Sequence, residues 1–242
     1  MALVMLSIAS YRDLKYREVD PWYWIIFGVI SIPIYLLGLG RESMITYTLY
    51  SLIAPGITLL LALTGFIGFA DFFALLILVF LIPKPFPDNL LPPTLVILIL
   101  SNVILLITVL PFVISSIRYY GLIRSSCGSF LRTLVILSTG FPMRVREYLR
   151  KNWFVFPLVY SIEEGSEIKR ICRTSFDVSE DPKDLRNKVR EFVEKYSSYE
   201  EEIIIVTWGA PLILYIFIAT LLYPFVAGYV ESLLRSLVNL FI

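Results

Sequence analysis

The chain of 242 residues is 57% hydrophobic and 17% charged, with a formal net charge of +1 and a mean hydropathy of +0.78. Soluble domains run nearer ~45–50% apolar and ~25% charged, so the composition describes a membrane protein, and its near neutrality argues against a nucleic-acid partner. Two cysteines without a CxxC pair, and no histidine at all, argue against zinc, haem and histidine-based triads, so no metal or other cofactor is expected.

Taken in chain order, residues 1–11 are apolar but supply only about half a bilayer span at ~1.5 Å per residue. Either Asp13 reaches into the membrane boundary or the true start lies upstream. No secretory cleavage site is evident, so this segment is expected to remain as a first span. A second runs from Trp22 to Gly40 with interfacial aromatic residues at its start.

From Ser43 to Pro83 the only charge is Asp71. One helix over that stretch would measure about 55 Å, nearly twice a ~30 Å hydrocarbon core. The run therefore has to reverse, and Gly65, Gly68 and Asp71 mark the place, because glycine loosens a helix and aspartate favours a helix start. The short fourth span, from Phe72, runs into the proline-dense PKPFPDNLLPP, which cannot be helix. The fifth runs from Thr94 to Ile117 with Asn102 and Pro111 inside it, a pattern usual in kinked, packed spanning helices.

Most of the charge lies between Arg118 and Val206. SEDPKDLRNKVREFVEKY predicts a helix capped by Ser179 or Asp181, with Leu185, Val189, Phe192, Val193 and Tyr196 on one face. Phe130 to Phe141 is too short to span and reads as an interfacial or domain-core helix. FVFPLVYSI and EIIIV are short apolar runs that periodicity alone cannot divide between strand and helix. A sixth span follows from Trp208 to Tyr229. The expected fold is an all-α polytopic membrane protein of six transmembrane helices, with a small α+β cytoplasmic domain inserted between helices 5 and 6. Residues 1–117 form the membrane part, 118–207 the cytoplasmic domain, and 208–242 the last helix and tail.

Of the 21 Lys and Arg, only Arg41, Lys84 and Arg235 fall on one side of that arrangement. The positive-inside rule then makes the other side cytoplasmic, with the N-terminus outside, in a multi-pass protein of the cell membrane. Asp13 and Asp71 emerge together on the cytoplasmic face. Cys127 and Cys172 fall on that side too, where reduced thiols are expected over a disulfide between them, although the sequence permits either.

Two carboxyl groups brought together and partly desolvated do not both ionise easily, so one keeps a proton while its partner is a base. Such a pair can activate water against a peptide carbonyl without metal or histidine. The bland alternatives are a helix-capping role for Asp71 and a solvated juxtamembrane cluster for Asp13, which composition cannot rank above Glu18 or Asp20.

SYRDLKYREVDPW, with an aspartate after the first span, resembles the first-aspartate motif of type IV prepilin and archaeal preflagellin peptidases. GFAD resembles the second, usually Gly-x-Gly-Asp, in the archaeal variant with a hydrophobic residue before the aspartate. The resemblance covers nearly the whole chain. It implies an aspartyl endopeptidase, with Asp13 and Asp71 as catalytic residues and Gly68 and Ala70 as motif-supporting ones, that cuts the short basic leader of preflagellins or pilin-like precursors. Ala70 stands where glycine is commoner, and Phe72-Phe73 replace a frequent Gly-Lys pair. The four-cysteine insertion of the bacterial enzymes is missing, so no methyltransferase activity is expected. Glu18 and Asp20, and the run Glu200 to Glu202, could attract a basic leader; solvated charge is the plainer reading. Two other functions fit the residues: a small ion- or proton-coupled transporter using Asp71, and a membrane anchor in which neither aspartate matters.

Overall fold

The computed structural model describes residues 1–16, 18–38, 44–64, 67–83, 91–150, 155–164, 167–174, 182–209 and 211–241. These residues divide into two compact units, one of residues 1–105 with 211–242 and one of residues 106–210.

The first unit is helical. Its elements are α1 (Ala2–Tyr16), α2 (Pro21–Gly38), α3 (Met44–Ser51), α4 (Ile53–Leu63), α5 (Phe69–Leu81), the first half of α6 (Pro93–Ile117) and, after the second unit, the helix α11 (Leu212–Phe241). Three stretches among the described residues are long and apolar enough to cross a membrane: Ile45–Leu63, Pro93–Ile117 and Leu212–Leu233. Pro21–Leu37 and Phe69–Leu81 are apolar but shorter, and α1 has 15 residues. The lengths thus support three spans directly, against the six expected. The last helix also runs to Phe241, well past the expected end at Tyr229, and the proline-dense loop lies largely outside the described residues.

A single hydrogen bond explains how a proline is held inside one of these helices. Pro55 has no N–H to give to the carbonyl four residues back, that of Ser51. The Thr94 hydroxyl, at the first turn of α6, donates to that carbonyl instead at 2.8 Å. An unpaired carbonyl is costly where water is scarce, so the side chain of one helix completes the backbone of another. Asn102, the polar residue inside α6, donates to the Leu98 carbonyl of its own helix at 2.8 Å.

The core of this unit joins Met5, Leu6 and Ala9 of α1, Ala74, Leu75 and Leu78 of α5, and Ile213, Ile216 and Tyr223 of α11. On α1 the buried positions recur at the spacing of one helical face, and Ser10 on that face donates to the Ile213 carbonyl at 3.3 Å.

The second unit contains α7 (Tyr120–Cys127), α8 (Phe130–Thr139), β1 (Gly140–Arg144), α9 (Val145–Arg150), β2 (Val155–Glu164), β3 (Glu167–Cys172), α10 (Pro182–Lys195) and β4 (Ile203–Trp208). The strands form one antiparallel sheet in the order β1-β4-β2-β3. Ile204 and Val206 of β4 pack with Met143, Tyr148 and Val189. Ile205, between them, packs on the opposite face with Ile123, Ile136 and Leu158. Helices therefore cover both faces of β4, and a strand buried on both sides reads as a continuous apolar run. Proline is tolerated at Pro142 because β1 is an edge strand, and at Pro157 because the register of β2 against β4 shifts there. Gly140, where α8 turns into β1, leaves no room for a side chain: a Cβ would lie 2.6 Å from Ile205 Cγ2 and 2.8 Å from the Ile136 carbonyl oxygen.

The helix at 182–195 has the expected buried stripe of Leu185, Val189 and Phe192, while Ser179 and Asp181, its expected caps, lie outside the described residues. One expectation is corrected. Cys127 and Cys172 form a disulfide, with their Cα atoms 5.3 Å apart, because α7 packs beside β3 on the same face of the sheet.

Candidate functional site

Asp71 stands in the first turn of α5. Gly68, the residue before the helix, has extended backbone (φ −79°, ψ 150°). Its amide donates to Asp71 Oδ2 at 3.2 Å, and its carbonyl accepts from the Asp71 amide at 3.2 Å. One of the free N–H groups at the helix start is thereby satisfied by the carboxylate three residues on. The side chain is only 7% exposed and heads the stripe Ala74, Leu75 and Leu78, so the helix that caps on it also carries it into the core.

Asp13 lies near the end of α1, on the face of Met5, Leu6, Ala9 and Ser10, and is half-buried. α1 and α5 share one core cluster, with Asp13 near the end of one and Asp71 at the start of the other. The structure thus puts the two expected acids on helices that pack in one core, Asp71 buried and Asp13 half-buried.

The segment after α1 is braced. Arg12 Nη1 pairs with Asp20 Oδ2 at 2.5 Å, the Arg12 guanidinium sits 6.0 Å from the centre of the Tyr23 ring, and the Tyr23 hydroxyl donates to the Met5 carbonyl at 2.5 Å. Asp20, expected as a leader-attracting acid, is therefore engaged within the fold. Glu18 is exposed, and Ala70 is half-buried beside Asp71.

The acidic run is occupied as well. Glu201 pairs with Arg144 at 2.9 Å and with Arg146 at 3.6 Å, Glu200 lies 3.8 Å from Arg146, and Glu202 pairs with Arg170. These pairs hold the turn before β4 to β1, α9 and β3. Sequence reasoning could not separate such pairing from free charge.

One buried acid escaped it altogether. Glu231, in the last helix, is 5% exposed, and its Oε2 accepts from the Leu91 amide at 3.4 Å. Its sequence signal is a lone carboxylate two residues past Tyr229, the expected end of the last span. Among the described residues no cluster of acids, cysteines or histidines could hold a metal ion.

These features define a helical membrane protein with two acids near the ends of separate helices that share one core, and a small disulfide-bonded α/β unit. Residues 1–139 match the sequence model of the type IV leader peptidase family, and residues 132–230 match that of the archaeal peptidase A24 C-terminus, type II. The chain belongs to the type IV leader peptidase family, and is a peptidase of the prepilin and preflagellin kind. No curated protein and no solved structure shows a significant match to it.

Proposed function

We propose that the chain is a membrane-embedded aspartyl endopeptidase that removes the short basic leader of preflagellins or type IV pilin-like precursors, with Asp13 and Asp71 as its catalytic pair. The observation that supports this reading is the shared core of α1 and α5, helices far apart in sequence, with Asp13 near the end of one and Asp71 at the start of the other. One carboxylate takes a proton from water as the oxygen attacks the scissile carbonyl, and the other gives its proton to the departing amine. The distribution of Lys and Arg favours a site at the cytoplasmic face, where a leader-bearing precursor is still accessible. With Asp20 and Glu200 to Glu202 engaged in ion pairs, the exposed Glu18 is the acid best disposed to receive a basic leader.

The test is processing of a leader-bearing precursor by the full chain in membranes. Asp13→Asn and Asp71→Asn should each lower cleavage by at least ~10²-fold, the usual contribution of a general acid or base, while both variants remain folded in the membrane. Undiminished cutting by either one would falsify the pair.

A further inference from the structure

The helix α8 buries one side and leaves the other bare. Thr133 and Ile136 are fully covered, whereas Phe130 is 54% exposed, Leu131 72%, Leu134 44% and Val135 42%. At 3.6 residues per turn these four occupy about 140° of the helix circumference. An apolar arc of this kind, over the first two turns of the helix, marks an interaction surface rather than scattered surface residues.

Two neighbours in the same unit identify what covers it. The end of α8 is fastened to the final turns of α6: the Ser116 hydroxyl donates to the Gly140 carbonyl at 2.5 Å, and the Phe112 and Phe141 rings stand 4.8 Å apart. That helix is one of the three long enough to span, and Leu106, Leu110, Ile114 and Ile117 form an exposed apolar stripe along it. Arg118 is the first charge after that apolar run, and the C-terminal end of α8 is fastened just before it. Arg132, exposed on the flank of the apolar arc, has the reach to place its guanidinium among phosphates while its stem follows the apolar surface.

We propose that α8 lies in the lipid–water boundary, with Phe130, Leu131, Leu134 and Val135 entered into the phospholipid surface and Arg132 at its phosphates. The occupant is lipid because the bare face belongs to a helix fastened to the end of one long enough to span, and is flanked by Arg132. The helix is an in-plane anchor that keeps the sheet of its own unit against the membrane.

Depth measurements on the full chain, reconstituted into vesicles of phosphatidylcholine and phosphatidylglycerol, test this. Leu131→Cys and Leu134→Cys are labelled separately with an environment-sensitive fluorophore; the native cysteines are bonded to each other and do not compete. Glu194→Cys, on the exposed face of α10, serves as the reference. Both α8 labels should be quenched by spin-labelled lipid about fivefold more than the reference, and less than the reference by aqueous iodide. Iodide quenching equal to that at position 194 would overturn the proposal. So would shielding of both labels from lipid and iodide alike, which would mean that protein covers the face.

Discussion

The Asp71 carboxylate accepts a hydrogen bond from the amide of Gly68, three residues before it, and so closes the first turn of the helix it heads. Asparagine keeps an acceptor oxygen at that place and alanine does not. Asp71→Ala should therefore melt lower than Asp71→Asn, by about 1 kcal/mol of stability, although both lack a carboxylate. Thermal unfolding in detergent measures the difference, and equal melting of the two variants would remove the cap from the account.

The Arg12–Asp20 pair is open to solvent, with side chains 41% and 66% exposed, and exposed pairs contribute ~0–1 kcal/mol. Asp20→Asn should accordingly change kcat/KM on a leader-bearing precursor by less than about fivefold. Reversal of the pair, with Arg12→Asp and Asp20→Arg together, should restore it. If Asp20 met the basic leader directly, the reversed pair would repel substrate and activity would fall further instead.

The disulfide joins residues separated by 45 positions, a loop whose closure limits the unfolded chain by about 4 kcal/mol on the chain-entropy scale. Replacement of both cysteines by serine, or addition of a strong reductant, should lower the unfolding midpoint by a corresponding amount. Identical denaturation curves with and without reductant would contradict the bond's contribution.

Tyr148, in the second unit, is fully buried, and its hydroxyl has no hydrogen-bond partner among the described residues. Burial pushes its phenol from 10.0 up to about 12, against the opposing pull of the Arg186 guanidinium. The folded state thus favours the neutral phenol, which costs nothing below pH 10, where the unfolded chain is also neutral. Between pH 10 and 12 only the unfolded chain ionises, and stability should fall by roughly 2–3 kcal/mol. Denaturant titrations across that range should show this loss in the native chain and a shallower one in Tyr148→Phe.

Much of the fold was legible from periodicity and length. The stripe of Leu185, Val189 and Phe192 required a helix, and an uncharged run too long for one crossing required the interruption before Asp71. The run at 203–206 was ambiguous because a strand covered on both faces shows no alternation. β1 and β3 escaped notice for a different reason: one contains Pro142, and the other, EIKRIC, is half polar, so neither resembles a strand until its sheet neighbours are known. Ion pairing of Glu200 to Glu202 and the bond between Cys127 and Cys172 are long-range facts that composition does not encode. For the site, counting helices predicts Asp13 and Asp71 on one face, whereas the packing of α1 and α5 in one core is a long-range fact that hydropathy does not carry.

Pro55 and Thr94 share one acceptor between them: the first leaves the Ser51 carbonyl without its usual donor, and the second supplies another. In an oily medium an unmet carbonyl is costly, so the two positions are coupled. A lineage that loses the hydroxyl is under pressure to give up the ring, and one that gives up the ring is free to let the hydroxyl drift.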